Sequence, residues 1–439
     1  MMRPTAPALR ERLAAYVHGL DYERLPAIAV ARVKDVIVHD LVVGIAGSDS
    51  DEGIGAVALI ESDFGSAGRA TVLRRARTAS PIDAAFANAV MMRALRQEDS
   101  LTQSGIHAGV LTIPVAIALA EQLGRDGREV ISAIVAGYDV VEALDACSPD
   151  TRAARTTSHV YGAFASASTA AKLMRLDEDQ TAIAIAHAGN LGAMINAGFE
   201  DHQYGILVRN GMTAAHLGRA RAPAPRDAIE GDPGFFAAQV GKIPDDFSPV
   251  DAIGERHAVL DAALKPYPGA HANSVAITLA KHLVARHRLR ADDISRVVVH
   301  RPAESNDALK LAKGPFASRS DATSSVPFAV AAVLLDGDYT CDRLDRYNDA
   351  ESLRVAQRVD VDTAVDGALF FHRVDIHLHG GTVHSAEGDE RVVDATDPIK
   401  IARFHRSTAI DERGVRAIRA AVDKLDTLAS ILELTTLLR

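Results

Sequence analysis

Tryptophan is absent from this chain of 439 residues, and aromatic side chains make up only 5% of it. The core must therefore be filled by Ala, Val, Leu and Ile, and an Ala-rich chain of that kind favours closely packed helices. Cysteine occurs only at Cys147 and Cys341, which make neither a disulfide framework nor a zinc motif. Such sparing use of thiols suits a reducing cytoplasm. No apolar run reaches the length of a membrane span, and the opening MMRPTAPALRERLAAYV lacks the apolar centre of a secretion signal. Lys and Arg are outnumbered by Asp and Glu, 48 to 58, giving a net charge of −10, and the basic residues are scattered. A chain of this sign repels nucleic acid and anionic membranes, so the expected partner is a small-molecule substrate. A glycine-rich phosphate loop is missing too, because GSDSDEGIG around 47–55 is acidic and has no strand before it.

What is present is an ordinary globular composition, 48% hydrophobic and 24% charged, in a chain long enough for two or three domains. Helical periodicity runs through 8–20, 25–47, 81–96, 127–146, 160–175, 177–197 and 205–220. Gly47, followed by Ser48 and Asp49, reads as the C-cap of the second helix. Near 225 the texture changes to a turn-rich stretch with Pro223, Pro225, Pro233 and Gly234. Beyond it, Ser295 to His300 alternates as a strand, and Phe370 to Ala386 reads as a hairpin turning at Gly380-Gly381. Helices at 273–286 and 323–335 accompany these strands, and the chain is helical again from 409. The expected fold is mainly α with an α+β second domain. A large helical domain is built from both chain ends, 1–255 and 405–439, and the smaller α+β domain occupies 256–404.

The stretch richest in chemistry is Asp99 to Glu121, DSLTQSGIHAGVLTIPVAIALAE. Asp99, Thr102 and His107 sit on a short polar loop, followed at once by an apolar helix. Titratable groups on a loop held by a buried helix suit proton transfer. A carboxylate contact from Asp99 would raise the His107 pKa and fix its tautomer. The plain alternative is that Asp99 caps a turn and His107 caps the helix.

Four stretches, in this order, resemble the MmgE/PrpD family: AAFANAVMMRALRQEDS (84–100), HAGVLTIPVAIALAE (107–121), EGDPGFFAAQVG (230–241) and SSVPFAVAAVLLDG (324–337). GYDVVEAL (137–144) and KPYPGAH (265–271) add to the likeness, which extends from about residue 5 to 435. The family includes 2-methylcitrate dehydratase, cis-aconitate decarboxylase and iminodisuccinate epimerase. The resemblance implies a homodimer with its site in the cleft between the two domains. It also implies that no metal or organic cofactor is used, and that chemistry starts with proton removal next to a carboxylate.

Several family site positions differ here. In TTSHVYGAF, Thr156 falls where the family has the His of a His-Pro pair, and His159 lies one helical turn on, with Tyr161 nearby. In FEDHQYGILVRNG, Glu200 falls at a family Lys and Gln203 at a family His. Pro327-Phe328 replaces a Pro-Tyr pair, and Gly269, Ala270, His271 and Ser274 run through a segment that normally holds Cys, Arg and His. An anion in place of a cation, and an inert ring in place of a phenol, argue against a citrate-like substrate.

The candidate catalytic residues are thus His107, Asp99, His159 and Glu200. The candidate substrate-binding residues are Thr102, Tyr161, His202, Gln203, Arg209, Lys265, His271 and Phe328. Each has a structural alternative: on composition Glu200 to Tyr204 reads as a solvated loop, Arg209 equally as a partner of Glu200, and Lys265 as a surface lysine. His377 and His379 share one hairpin face, but no third ligand is marked, so a polar outer sheet face is the reading and no metal is expected. Three functions compete: a cofactor-free lyase or isomerase acting on a small carbon acid; the same fold repurposed as a biosynthetic cyclase or double-bond isomerase for a less polar substrate; and a binding scaffold without turnover.

Overall fold

A computed structural model of the chain describes residues 7–62, 65–149, 157–192, 200–303, 307–365, 370–393, 397–405 and 410–439. The chain divides into two compact units, Met1–Ala263 with Thr408–Arg439, and Leu264–Ser407. The first is helical and the second holds a four-stranded sheet, so the fold is mainly α with a smaller α+β part.

In the first unit, the helices Pro81–Arg93, Ala108–Leu123, Thr157–Leu173 and Glu200–Arg219 pack on one another. Several helices of this unit start at local caps. Ser80 Oγ accepts the Asp83 N–H ahead of Pro81, and Asp126 and Asp177 cap the helices Gly127–Ala146 and Glu178–Leu191 through capping boxes. Thr157–Leu173 carries the Ala- and Ser-rich run, and its buried Ala163, Ala165, Ala167 and Ala170 let neighbouring helices come close.

Gly47 has a different role from the one its sequence context suggests. The helix Ala27–Gly47 ends at Ser48 in a right-handed conformation, so no left-handed cap is formed. A Cβ on Gly47 would instead collide with the Met91 carbonyl oxygen, so glycine is required by close packing on Pro81–Arg93. The acidic stretch after it is not a loop. Ser50 Oγ accepts the Gly53 N–H at 3.0 Å and starts a helix over Asp51–Glu61, with Asp51 and Glu52 at its positive end. Residues 200–204 are not a loop either, since the helix Glu200–Arg219 starts there.

The second unit carries a sheet in the order Val359–Asp362, Ile294–His300, His372–Leu378, Val383–Gly388. The first pair is parallel and the others antiparallel. Helices His271–His287 and Val326–Asp336 supply the core beside this sheet, around Val297, Val299, Val374 and Ile376. Phe328 is part of that core: it is fully buried, edge-on to Phe316 at 5.6 Å and to Tyr339 at 6.2 Å. Among the described residues no cluster of three or more His, Cys, Asp or Glu is arranged to hold a metal. His384 stacks on His287 at 3.8 Å, and burial pushes His372 down to about 3. Among the described residues no helix is long and apolar enough to cross a membrane.

Candidate active site

His107 occupies the N-cap position of the helix Ala108–Leu123, yet its side chain makes no capping bond. Its Nδ1 lies 2.8 Å from the main-chain oxygen of Asp99. A carbonyl only accepts, so Nδ1 carries the proton, and Nε2 holds the lone pair in the neutral ring. Glu98 Oε1 also lies 3.0 Å from Nδ1, and the Glu98 side chain is fully buried while 16% of the His107 side chain stays exposed. The main-chain N–H of His107 donates to Ser158 Oγ at 3.0 Å, tying it to the start of Thr157–Leu173.

The Asp99 carboxylate is not the partner of the imidazole. It turns the other way and caps the helix that His107 precedes: Oδ1 accepts the Gly109 N–H at 2.9 Å, and Oδ2 accepts the Tyr138 hydroxyl at 2.7 Å. The main chain of Asp99 holds the ring while its side chain holds the helix end, where an anion is favoured. Asp40, from the middle of Ala27–Gly47, accepts the Asp99 N–H through Oδ1 at 3.0 Å. A Cβ on Gly109 would land on Asp40 Oδ2, and would also stand 2.5 Å from Asp99 Oδ1 and 3.0 Å from the Tyr138 hydroxyl. Only glycine leaves room for both carboxyls.

Burial dominates the electrostatics. Asp40, Asp99 and Tyr138 are all fully buried. Burial pushes the Asp99 carboxyl up to about 6, against the lowering effect of the Tyr138 hydroxyl and the Gly109 N–H. Asp40 is held well above the usual carboxylate range by burial and then by the charge of Asp99. Burial and the Asp99 charge also raise the Tyr138 phenol.

On the other side of the His107 ring stands Tyr204. The two rings meet edge-on at 6.0 Å, and His159 meets the same phenol ring at 5.5 Å. Arg93 lies over the Tyr204 ring, Cζ to centroid 4.7 Å, and forms an ion pair with Glu98. Three helices and one loop thus bring together His107, Glu98, Arg93, His159 and Tyr204, a constellation able to take up and return protons.

Residues 11–247, more than half of the chain, match the MmgE/PrpD N-terminal domain. This chain belongs to the MmgE/PrpD family. It is also similar to cis-aconitate decarboxylase of Mus musculus, 25% identical over 463 residues, a match that spans 98% of this chain and 93% of that protein.

The other candidate residues of this MmgE/PrpD member fall in several places. Tyr161 is buried but packs on Phe235 at 5.6 Å, on a different side of its helix from His159. Thr156 and the side chains of Glu200 and Asp201 lie outside the described residues. The polar run 200–204 does not act as one cluster, because helical spacing splits it: Gln203 and Tyr204 are buried and His202 is exposed, near Gly55. Arg209 pairs with Asp83 and lies 5.7 Å from the Phe86 ring. Thr102 is half-buried, and its main-chain N–H donates to the Asp261 carbonyl at 3.2 Å.

In the second unit, Lys265 is buried rather than a surface lysine. His271 opens the helix His271–His287, against Phe370 at 5.4 Å, with Glu390 at 3.9 Å. Phe328, expected to bind substrate, is core instead: it follows Pro327 in the first turn of Val326–Asp336 and points among Phe316 and Tyr339. Asp40, Glu98, Arg93, Tyr138 and Tyr204 were not among the expected residues. The signal for Asp40 was there, a charged His39-Asp40 pair inside the apolar run VIVHDLVVGIAG.

Proposed function

We propose that this chain is a lyase or isomerase that removes a proton from a small carbon acid without a cofactor, with His107 as the base. The observation that carries the reading is the approach of His107 Nδ1 to the Asp99 carbonyl oxygen, which fixes the tautomer. Its Nδ1 proton is held by the Asp99 carbonyl at 2.8 Å, so the lone pair belongs to Nε2. When Nε2 accepts a proton the ring becomes cationic, and the Glu98 carboxylate 3.0 Å from Nδ1 stabilises that charge. His159, across the Tyr204 ring, is the partner that returns a proton to the substrate or its leaving group. The likeness to a decarboxylase supports lyase chemistry at the level of the family.

The charges beside His107 favour a substrate less anionic than a tricarboxylate. Arg93, over the Tyr204 ring, is paired with Glu98, and Asp99 is a further buried carboxyl nearby in the chain. A polyanion would meet the Glu98 and Asp99 carboxylates there. Phe328 no longer argues for an apolar substrate, since it lies in the core of the second unit.

Exchange of substrate α-protons in deuterated water, followed by NMR across a panel of mono- and dicarboxylic carbon acids, tests this directly. The wild type exchanges a member of the panel and His107→Ala slows that exchange about 10²- to 10⁴-fold, the range for loss of a general base. Equal exchange by both proteins would remove His107 from the role.

A further inference from the structure

We propose that the buried Asp40 and Asp99 carboxyls share a single proton carried by Asp40, and that this neutral–anionic pair is the anchor of the His107 loop. The two side chains come from distant parts of the sequence and converge on one point, the Cα of Gly109, where a Cβ would strike Asp40 Oδ2 and crowd Asp99 Oδ1. Both carboxyls are fully buried. Asp40 Oδ1 is satisfied by the Asp99 N–H at 3.0 Å, but Oδ2 meets no N–H or O–H donor among the described residues. A buried carboxylate oxygen with no donor, beside a second carboxylate, is among the least favourable arrangements in a protein interior.

Protonating Asp40 resolves it, since Oδ2 then becomes a donor and the Asp99 carboxylate is the acceptor. The reverse assignment fails on the same geometry. Asp99 already accepts from Gly109 N–H and from the Tyr138 hydroxyl, both of which favour its charged form.

The groups that face the pair agree. Glu98 and Asp99 add negative charge at Asp40. Tyr138, from Gly127–Ala146, stays neutral, with Arg32 the cation acting on it. With the proton in place, Asp99 is held from three directions and its carbonyl stays aimed at His107 Nδ1. Asp40 is therefore a positioning residue that acts through Asp99. This deepens the proposed function, yet the proton count can be read without any substrate.

The test is the number of protons released when the full-length protein is denatured at pH 7.5 in weakly buffered indicator dye. In the unfolded chain Asp40 is ionised, with a pKa of about 3.9. The wild type should therefore release one more proton than Asp40→Asn, whose amide donates to Asp99 as the acid does. Equivalently, the unfolding constant of the wild type should rise about tenfold more steeply per pH unit than that of the variant between pH 7 and 8.

Infrared spectra of the native wild type labelled with ¹³C at the aspartate side-chain carboxyl give a second readout should Asp40→Asn fail to fold. They should show a protonated carboxylic acid band at pH 7.5. Equal proton release, or no such band, overturns the assignment whether or not His107 proves to be a base. If His107→Ala keeps its exchange activity while the proton count holds, the pair stands and only the reaction is lost.

Discussion

Removing one hydroxyl from the helix Gly127–Ala146 should make the stability of this protein fall more steeply as pH rises. Tyr138→Phe deletes the donor 2.7 Å from Asp99 Oδ2 and leaves the rest of the ring in place. In the wild type, burial lifts Asp99 from 3.8 to about 6. A carboxyl whose folded pKa is raised binds more protons in the native state than in the unfolded one. Its contribution to stability is therefore fully present below pH 4 and falls as pH rises through 6, by about 3 kcal/mol at about 1.4 kcal/mol per tenfold.

The Tyr138 bond moderates that loss, because a hydrogen bond to a charged group is worth about 1.5–3 kcal/mol net. Without it, Asp99 should titrate about 0.5–1.5 pH units higher, the margin by which a bond to the anion exceeds a neutral one. The variant should then lose about 1.5–3 kcal/mol relative to wild type at pH 8, where Asp99 is ionised. At pH 4.5 a neutral pair of hydroxyl and acid is all that is broken, and the loss should be only about 1 kcal/mol. Urea unfolding followed by far-ultraviolet circular dichroism from pH 4.5 to 8 measures this. A loss that is the same at every pH, or larger in acid, would refute the claim that the phenol holds a carboxylate.

Two further substitutions bear on the same regions. Glu98→Gln keeps the shape beside His107 and removes its anion, which should lower the imidazole pKa. Because the base works when unprotonated, the acid limb of the exchange rate should move to lower pH and the maximal rate should fall; an unmoved limb would mean that Glu98 does not act on the ring. Phe328→Tyr restores the phenol that the family resemblance leads one to expect, but into a closed core. It should destabilise the second unit by about 1–3 kcal/mol through a buried hydroxyl, with exchange per folded molecule unchanged. A gain in exchange would show that this ring reaches substrate.

Much of the helical unit could be read from periodicity and caps, because Pro81, Asp126 and Asp177 act within a few residues of themselves. The same locality made His107 legible, since a polar loop running into an apolar helix is a short-range pattern. What could not be read depends on long-range burial. Asp40 and Asp99 are 59 residues apart, and nothing in either segment says that they meet at Gly109. Tyr204 was hidden by its neighbours, because Glu200 to Gln203 look like a solvated loop. Only the buried repeat Tyr204, Leu207, Val208 and Met212 marks them as one side of a helix. Phe328 misled for the opposite reason: its position suggested a site residue, and the apolar run after it, AVAAVLLD, is what decides that it faces inward.

The identity of residue 99 follows from counting donors. Gly109 N–H cannot be reversed, because it is a main-chain donor at a helix start. Among the described residues the Tyr138 hydroxyl donates only to Asp99 Oδ2. If Asp40 is protonated, its acid proton has only Asp99 to go to. Three donors therefore converge on one side chain. An amide at 99 has a single oxygen and would turn its own N–H groups toward at least one of these donors. Only an ionised carboxylate accepts all three, so the anion must be kept although ionising it in the folded chain costs about 3 kcal/mol net. That cost is a sizeable part of the 5–15 kcal/mol that typically holds a protein together. It is offset by what the anchored main chain does next: the carbonyl of the same residue fixes which nitrogen of His107 holds the proton. Fold stability and the protonation state of the imidazole thus meet in a single aspartate, its side chain serving the first and its peptide oxygen the second.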